Sequence, residues 1–95
     1  MVNVTWSDGA IQDLDSIARY RAQDSPETAQ KFVRTIFRKV DMLLNLPRSG
    51  RIVPEKQADC FRELIYKKYL VIYEIKETED VEILTVVHGS RILRF

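Results

Sequence analysis

Ninety-five residues carry one cysteine, one histidine, one tryptophan, three glycines and three prolines. Each scarcity closes off a class of function. With Cys60 alone there is no internal disulfide to form, which fits a reducing cytoplasm. Beside Phe61 at a strand start, Cys60 reads as a buried, inert thiol. A single histidine and a single cysteine cannot supply the usual zinc ligand set, so no metal is expected. Three scattered glycines make no phosphate-cradling loop, no serine sits in a nucleophile elbow, and no cofactor is implied. No apolar run approaches the ~18 residues of a membrane span. The segment Met1 to Trp6 lacks the basic region and long apolar stretch of a signal peptide. A net charge of +1 argues against a protein that coats nucleic acid.

What is present is one domain's worth of chain with 45% apolar residues, enough for a single modest core. There are no internal repeats. Charge is unevenly spread: residues 1–28 sum to −3, residues 29–58 to +5 and residues 59–95 to −1. The basic excess falls on a second helix and the loop after it. It reads either as a solvated helix face or as a docking surface for an acidic partner or a phosphate backbone.

Val2 to Trp6 alternates and reads as a strand. Ser7 is placed to cap a helix whose apolar stripe runs Ala10, Leu14, Ile17, Ala18 and the stem of Arg21, widened by Ile11 and fading near Gln23. Ser25 followed by Pro26 starts a second helix, with Ala29, Phe32, Val33, Ile36, Val40, Leu43 and Leu44 on one face and Phe37 broadening it. Pro47 ends that helix. The short link between the helices predicts an antiparallel hairpin. Residues 51–59, with Pro54, read as an exposed loop. Three strands follow: residues 61–66, residues 69–75 after a tight Lys67-Lys68 turn, and residues 81–88 after an acidic loop at residues 77–80. The middle strand is apolar on both faces, so it is central and covered twice. The helix hairpin covers one face, and the C-terminal tail or a partner chain is the expected cover of the other. The fold class is therefore α+β, in the order β-α-α-β-β-β: a four-stranded, mainly antiparallel sheet with a helix hairpin packed on one face.

Strand parity places Arg62, Leu64 and Tyr66 on one face with Glu63 opposite, and places His88 with Leu84 and Val86. Arg62 reads as a structural cation paired with a helix carboxylate, or as a group lining the open sheet face. Tyr69 and Tyr73 read as core with hydroxyls at the sheet edge. His88 is a structural histidine or a target-contacting group at a strand end. The tail Arg91-Ile92-Leu93-Arg94-Phe95 either folds back on the sheet or engages a target directly.

Three pieces of wording, Arg62-Glu63-Leu64-x-Tyr66, Tyr69-x-x-x-Tyr73 and Ile83-Leu84-x-Val86-x-His88, resemble the ParE/RelE superfamily of small bacterial toxins over almost the whole chain. The resemblance implies a type II toxin held by a cognate antitoxin, in one of two activities. The superfamily's RNases are similar to one another in using Arg, Lys, Glu, His or Tyr without metal on the concave sheet face. Such a site needs a base for the 2′-hydroxyl and cations for the developing phosphorane charge. Here Leu70 stands where the common Tyr-Arg-x-x-Tyr wording has Arg, and no Tyr follows Tyr73. An RNase acting on ribosome-bound messenger RNA would draw on Arg62, His88 and Arg91. The His after the last strand and the Arg-Glu-Leu wording look more like the ParE branch, which poisons DNA gyrase, although Leu70 departs from that wording too. The gyrase reading is preferred. It puts target or partner contacts at Arg62, Lys67, Lys68, His88, Arg91, Arg94 and Phe95, with no sequence-specific DNA binding by the toxin alone. The alternatives are the RNase and an inactive relic that still binds antitoxin.

Overall fold

The computed structural model describes residues 2–54, 56 and 58–89. The elements run β1 (Val4–Trp6), α1 (Asp8–Ala22), α2 (Pro26–Asp41), a 3-10 turn (Met42–Leu44), β2 (Arg51–Ile52), β3 (Phe61–Tyr66), β4 (Tyr69–Ile75) and β5 (Val81–His88). Both helix starts are those the sequence marks. The Ser7 hydroxyl accepts the Ala10 N–H at 3.0 Å, and the Ser25 hydroxyl accepts the Thr28 N–H at 3.2 Å. Each cap satisfies one of the four N–H groups that a helix start leaves without a partner.

The sheet has five strands, in the order β1-β5-β4-β3-β2. The first strand lies parallel to the last, Val4 beside Val81 and Trp6 beside Ile83, and all other pairs are antiparallel. The expected four strands gain a fifth because Arg51 and Ile52 pair with Glu63 and Arg62. The loop reading of residues 51–59 is thus corrected at its start, and Val53 is fully buried. The physical reason is the second apolar face of β4. Leu70 and Ile72 need a cover, and Val53 packs on them with Phe61 and Val87 at the rim. Chain-internal residues therefore supply part of the cover expected from the tail, which lies outside the described residues.

The other sheet face carries the main core. Ala10 and Leu14 of α1 and Phe32, Ile36 and Val40 of α2 pack with Leu43 on Val71, Tyr73, Ile75, Val81, Ile83 and Val86. One strand parity differs from simple alternation. Ile72 pairs with Thr85 but Tyr73 pairs with Ile83, so Leu84 is the extra residue of a β-bulge. The bulge lets Val81 and Ile83 share a face with Val86 and His88, and takes Leu84 out of the register expected for it. It turns an interrupted apolar alternation into one continuous buried row. Cys60, expected to be buried, is a half-buried free thiol.

Candidate functional site

The sheet has two chemically different ends. At the end away from the β3–β4 turn, Arg62 is consumed by structure. Its Nη1 donates to the carbonyls of Arg48 at 3.1 Å and Gly50 at 3.0 Å, its Nε donates to the Asp59 carbonyl at 2.9 Å, and Nη2 pairs with the Asp59 carboxylate. Its carboxylate partner is this loop aspartate, not the helix carboxylate expected. Arg62 pairs in register with Tyr73, on the helix side of the sheet, so it does not line the opposite, open face. Beside it the Tyr73 hydroxyl donates to the Pro47 carbonyl at 2.7 Å and accepts the Gly50 N–H at 3.0 Å. Burial raises the Tyr73 pKa above its ordinary value, with the Gly50 N–H and the nearby Arg62 and Arg48 charges pulling the other way. Gly50 is required here, because a Cβ would fall 2.6 Å from the Tyr73 hydroxyl and 2.7 Å from the Glu63 carbonyl.

The opposite end gathers Lys67, Lys68 and His88. Tyr66 and Tyr69 close the β3–β4 hairpin, and Lys67 takes a left-handed backbone (φ 55°) in the two-residue turn. Tyr69 pairs with His88, and the Gly89 N–H donates to the Lys68 carbonyl at 2.7 Å. A chain of rings crosses this end. Phe32 lies 5.6 Å from Tyr66 and 5.1 Å from Tyr69, and Tyr69 lies 5.6 Å from His88. Cations sit on these rings: Arg21 5.0 Å from the Phe32 centroid, Lys39 and Lys67 at 5.8 and 5.5 Å from Tyr66. Each such contact contributes about 0.5–1 kcal/mol at an exposed site. A cleft of about 610 Å³ adjoins, lined by Asp13, Ser16, Ile17 and Tyr20 of α1 and by Tyr69, Val86, Val87 and His88. Its floor is fixed by Asp13, whose carboxylate accepts the Thr85 hydroxyl at 2.5 Å and the Val86 N–H at 3.2 Å.

Of the expected site residues, then, the fold brings Lys67, Lys68 and His88 together and places Arg62 elsewhere. Arg91, Arg94 and Phe95 lie outside the described residues. Sequence reasoning did not count Lys39 or Arg21 among the site residues, reading only the Arg21 stem as part of the apolar stripe of α1. The signal for Lys39 was available, since at 100° per residue it stands beside the Phe32 row of α2.

The sheet face turned away from the helices is mostly apolar. Phe61, Ile65, Leu70, Ile72 and Val87 alternate onto it, and its buried carboxylate, Glu63, is ion-paired with Arg51. Leu70, where the resemblance has Arg, packs with Val53 and Ile72. Among the described residues no three His, Cys, Asp or Glu side chains converge as a metal site would need. On the outside of the helix hairpin, an apolar groove is lined by Trp6, Ile11, Leu14, Ala18, Val33 and Phe37, and continues past Ala22, Pro26 and Ala29. Ile11 and Phe37, expected to widen the core stripes, are 54% and 44% exposed and form the groove walls, with Phe37 tilted against Trp6 at 5.2 Å.

The molecule is thus a small α+β domain with a helix hairpin, an exposed apolar groove on that hairpin and a cationic-aromatic sheet end. Residues 4–93 match the family described as the ParE toxin of the type II toxin–antitoxin system parDE, and the chain belongs to this family. It is 36% identical over 88 residues to a candidate toxin, Y4kP, of Sinorhizobium fredii (strain NBRC 101917 / NGR234), covering 93% of this chain and 88% of that protein. Its fold matches a chain of the chromosomal ParDE system of P. aeruginosa with a TM-score of 0.74 and 25% identity, over 93% of this chain and 96% of the other.

Proposed function

We propose that this ParE-type toxin acts in the cytoplasm by inhibiting DNA gyrase, and that a cognate antitoxin neutralises it by laying an amphipathic helix in the hairpin groove. The observation that carries the gyrase reading is the sheet face opposite the helices. Metal-independent RNA cleavage needs a base and cations around one phosphate. Among the described residues that face is built on Phe61, Ile65, Leu70, Ile72 and Val87, with Glu63 buried against Arg51 and its other carboxylates, Glu74 and Glu82, both paired with Lys76 rather than grouped with several cations. The Lys67–Lys68 turn adds exposed cations at the sheet end, where they suit docking on a protein surface. A supercoiling assay with purified chain tests this. Inhibition of gyrase with intact transcripts in expressing cells is the expected result; cleaved transcripts and uninhibited gyrase would replace it with the RNase reading.

The antitoxin part rests on the groove, where exposed Ile11 and Phe37 join Trp6, Leu14 and Val33 in one contiguous apolar surface of the kind that marks a docking site. A helix seated there with apolar residues at i, i+3, i+4 and i+7 fits the space between α1 and α2. Phe37→Asp should weaken antitoxin binding about 100-fold, equivalent to about 2.7 kcal/mol, while the chain stays folded. Unchanged affinity by titration calorimetry would move the antitoxin to another face.

A further inference from the structure

The outward arc of α2 is used by neither the core nor the groove. We propose that this arc, continued over Tyr66 to the Lys67–Lys68 turn, seats the phosphate backbone of duplex DNA without reading its sequence. The inference goes beyond the gyrase reading and does not depend on it.

The distribution of unpaired cations is the main observation. Arg19, Arg48, Arg51, Arg62 and Lys76 each have a carboxylate within ion-pair distance. Lys31, Arg34 and Arg38 are exposed and, among the described residues, none has one. Glu27, whose carboxylate accepts the Ser25 hydroxyl at 3.1 Å, stands one turn before Lys31 and Asp41 three residues after Arg38, and neither pairs with these cations. Lys39 and Lys67 each sit against the Tyr66 ring rather than an acid. Cations without a carboxylate thus gather on one surface, in a chain whose net charge is only +1.

Geometry separates this surface from the groove. At 100° per residue Lys31, Arg38 and Lys39 project from the side of α2 away from Val33 and Phe37, which line the groove. Arg34 stands at the boundary and also borders the groove. From Lys31 to Arg38 the helix rises about 10.5 Å, the span of about three phosphates of one strand at about 3.4 Å each. The exposed side chains of α2 on this arc from Lys31 to Arg38 are cationic, with Met42 just past the helix end and Tyr66 beneath Lys39 and Lys67 as its apolar residues, and its charge complements a polyanion. Long cations without a base-reading pocket position a duplex but do not specify it.

The test is binding of the purified chain to a labelled random-sequence duplex by fluorescence anisotropy between about 50 and 200 mM salt. The affinity should fall linearly in log–log form. K31Q/R38Q should lower the magnitude of that slope by about 1.8, at about 0.9 per lost phosphate contact. R19Q, on α1 and paired with Asp15, should leave it unchanged. No binding at the lowest salt, an equal slope in K31Q/R38Q, or tighter binding of single-stranded RNA than of duplex would each overturn the proposal. No gyrase is present in the assay, so its failure leaves the gyrase reading standing, and the supercoiling assay can fail without touching this one.

Discussion

The two ends of the sheet use the same residue types in opposite ways. At one end Arg48, Arg62 and Tyr73 spend their donors on the carbonyls of Arg48, Gly50 and Pro47 and on the carboxylates of Asp59 and Glu79. At the other, among the described residues, Lys39 and Lys67 sit against the Tyr66 ring without a carboxylate, and Tyr66 and Tyr69 pack on Phe32 and the core. The difference comes from the connection each end must hold. The long link between α2 and β3 carries backbone carbonyls that need donors where the sheet cannot supply them, so an arginine's five N–H groups are drawn in. A two-residue turn satisfies its own backbone and leaves its side chains unengaged. Basic residues are therefore structural at one end and available at the other.

Substitutions can break that contrast, beginning with the largest effect. Arg62→Ala should cost about 3 kcal/mol, because it strips donors from three loop carbonyls and a partner from the Asp59 carboxylate. Urea unfolding would show it, and Arg62→Lys should recover little, since an ammonium cannot span the same acceptors. A loss under about 0.5 kcal/mol would return Arg62 to the list of target-contacting residues.

Tyr73→Phe removes two hydrogen bonds and leaves the buried Gly50 N–H unpaired, at about 1.5 kcal/mol. It also has a pH signature. The folded pKa of Tyr73 is raised by burial, so its contribution is complete below the unfolded value of about 10 and is lost as pH rises from there through the folded value. Thermal melts above about pH 10 should fall more steeply for the wild type than for Tyr73→Phe, and parallel curves would remove the tyrosine from the stability account.

At the open end, K67Q/K68Q should change stability by less than about 0.5 kcal/mol while reducing growth inhibition on expression. Toxicity at the wild-type level would show that the target does not use this end. The smallest effect belongs to the exposed Arg48–Glu79 pair. The Arg48 hydrogen bond holds the Glu79 carboxyl below its ordinary range. Its contribution is present above the unfolded pKa and fades as pH falls through the lower folded value. Glu79→Gln should flatten the acid side of the stability profile slightly; an identical profile would mean that solvent screens the pair fully.

Much of the fold was written locally. Ser7, Ser25 and Pro26 mark the helix starts through chemistry that acts within three residues. The two-sided apolar character of residues 69–75 marked the central strand, and the Lys67-Lys68 spacing marked its hairpin. Arg51 and Ile52 carried no comparable signal, because two residues are too few for a period and their pairing depends on β3 being in place. The Leu84 bulge was hidden for a similar reason: strict alternation is the default reading, and an extra residue shows only when its partner strand supplies the register. Among the site residues, Lys67, Lys68 and His88 were legible as strand ends and turns. Arg62 was legible as a residue of interest but not in its role.

The amino-acid sequence by itself determined the order of the two helices and of the strands other than β2, the helix starts, the family and the uneven spread of charge, since these follow from side-chain type and short-range spacing. Tertiary structure alone decided that Arg62 faces inward to a loop 12 to 14 residues before it, that Ile11 and Phe37 line a groove rather than the core, and that Lys39 and Lys67 share one tyrosine ring. Those relations join residues far apart in the chain, and they exist only once the sheet and the helix hairpin have fixed which surfaces meet.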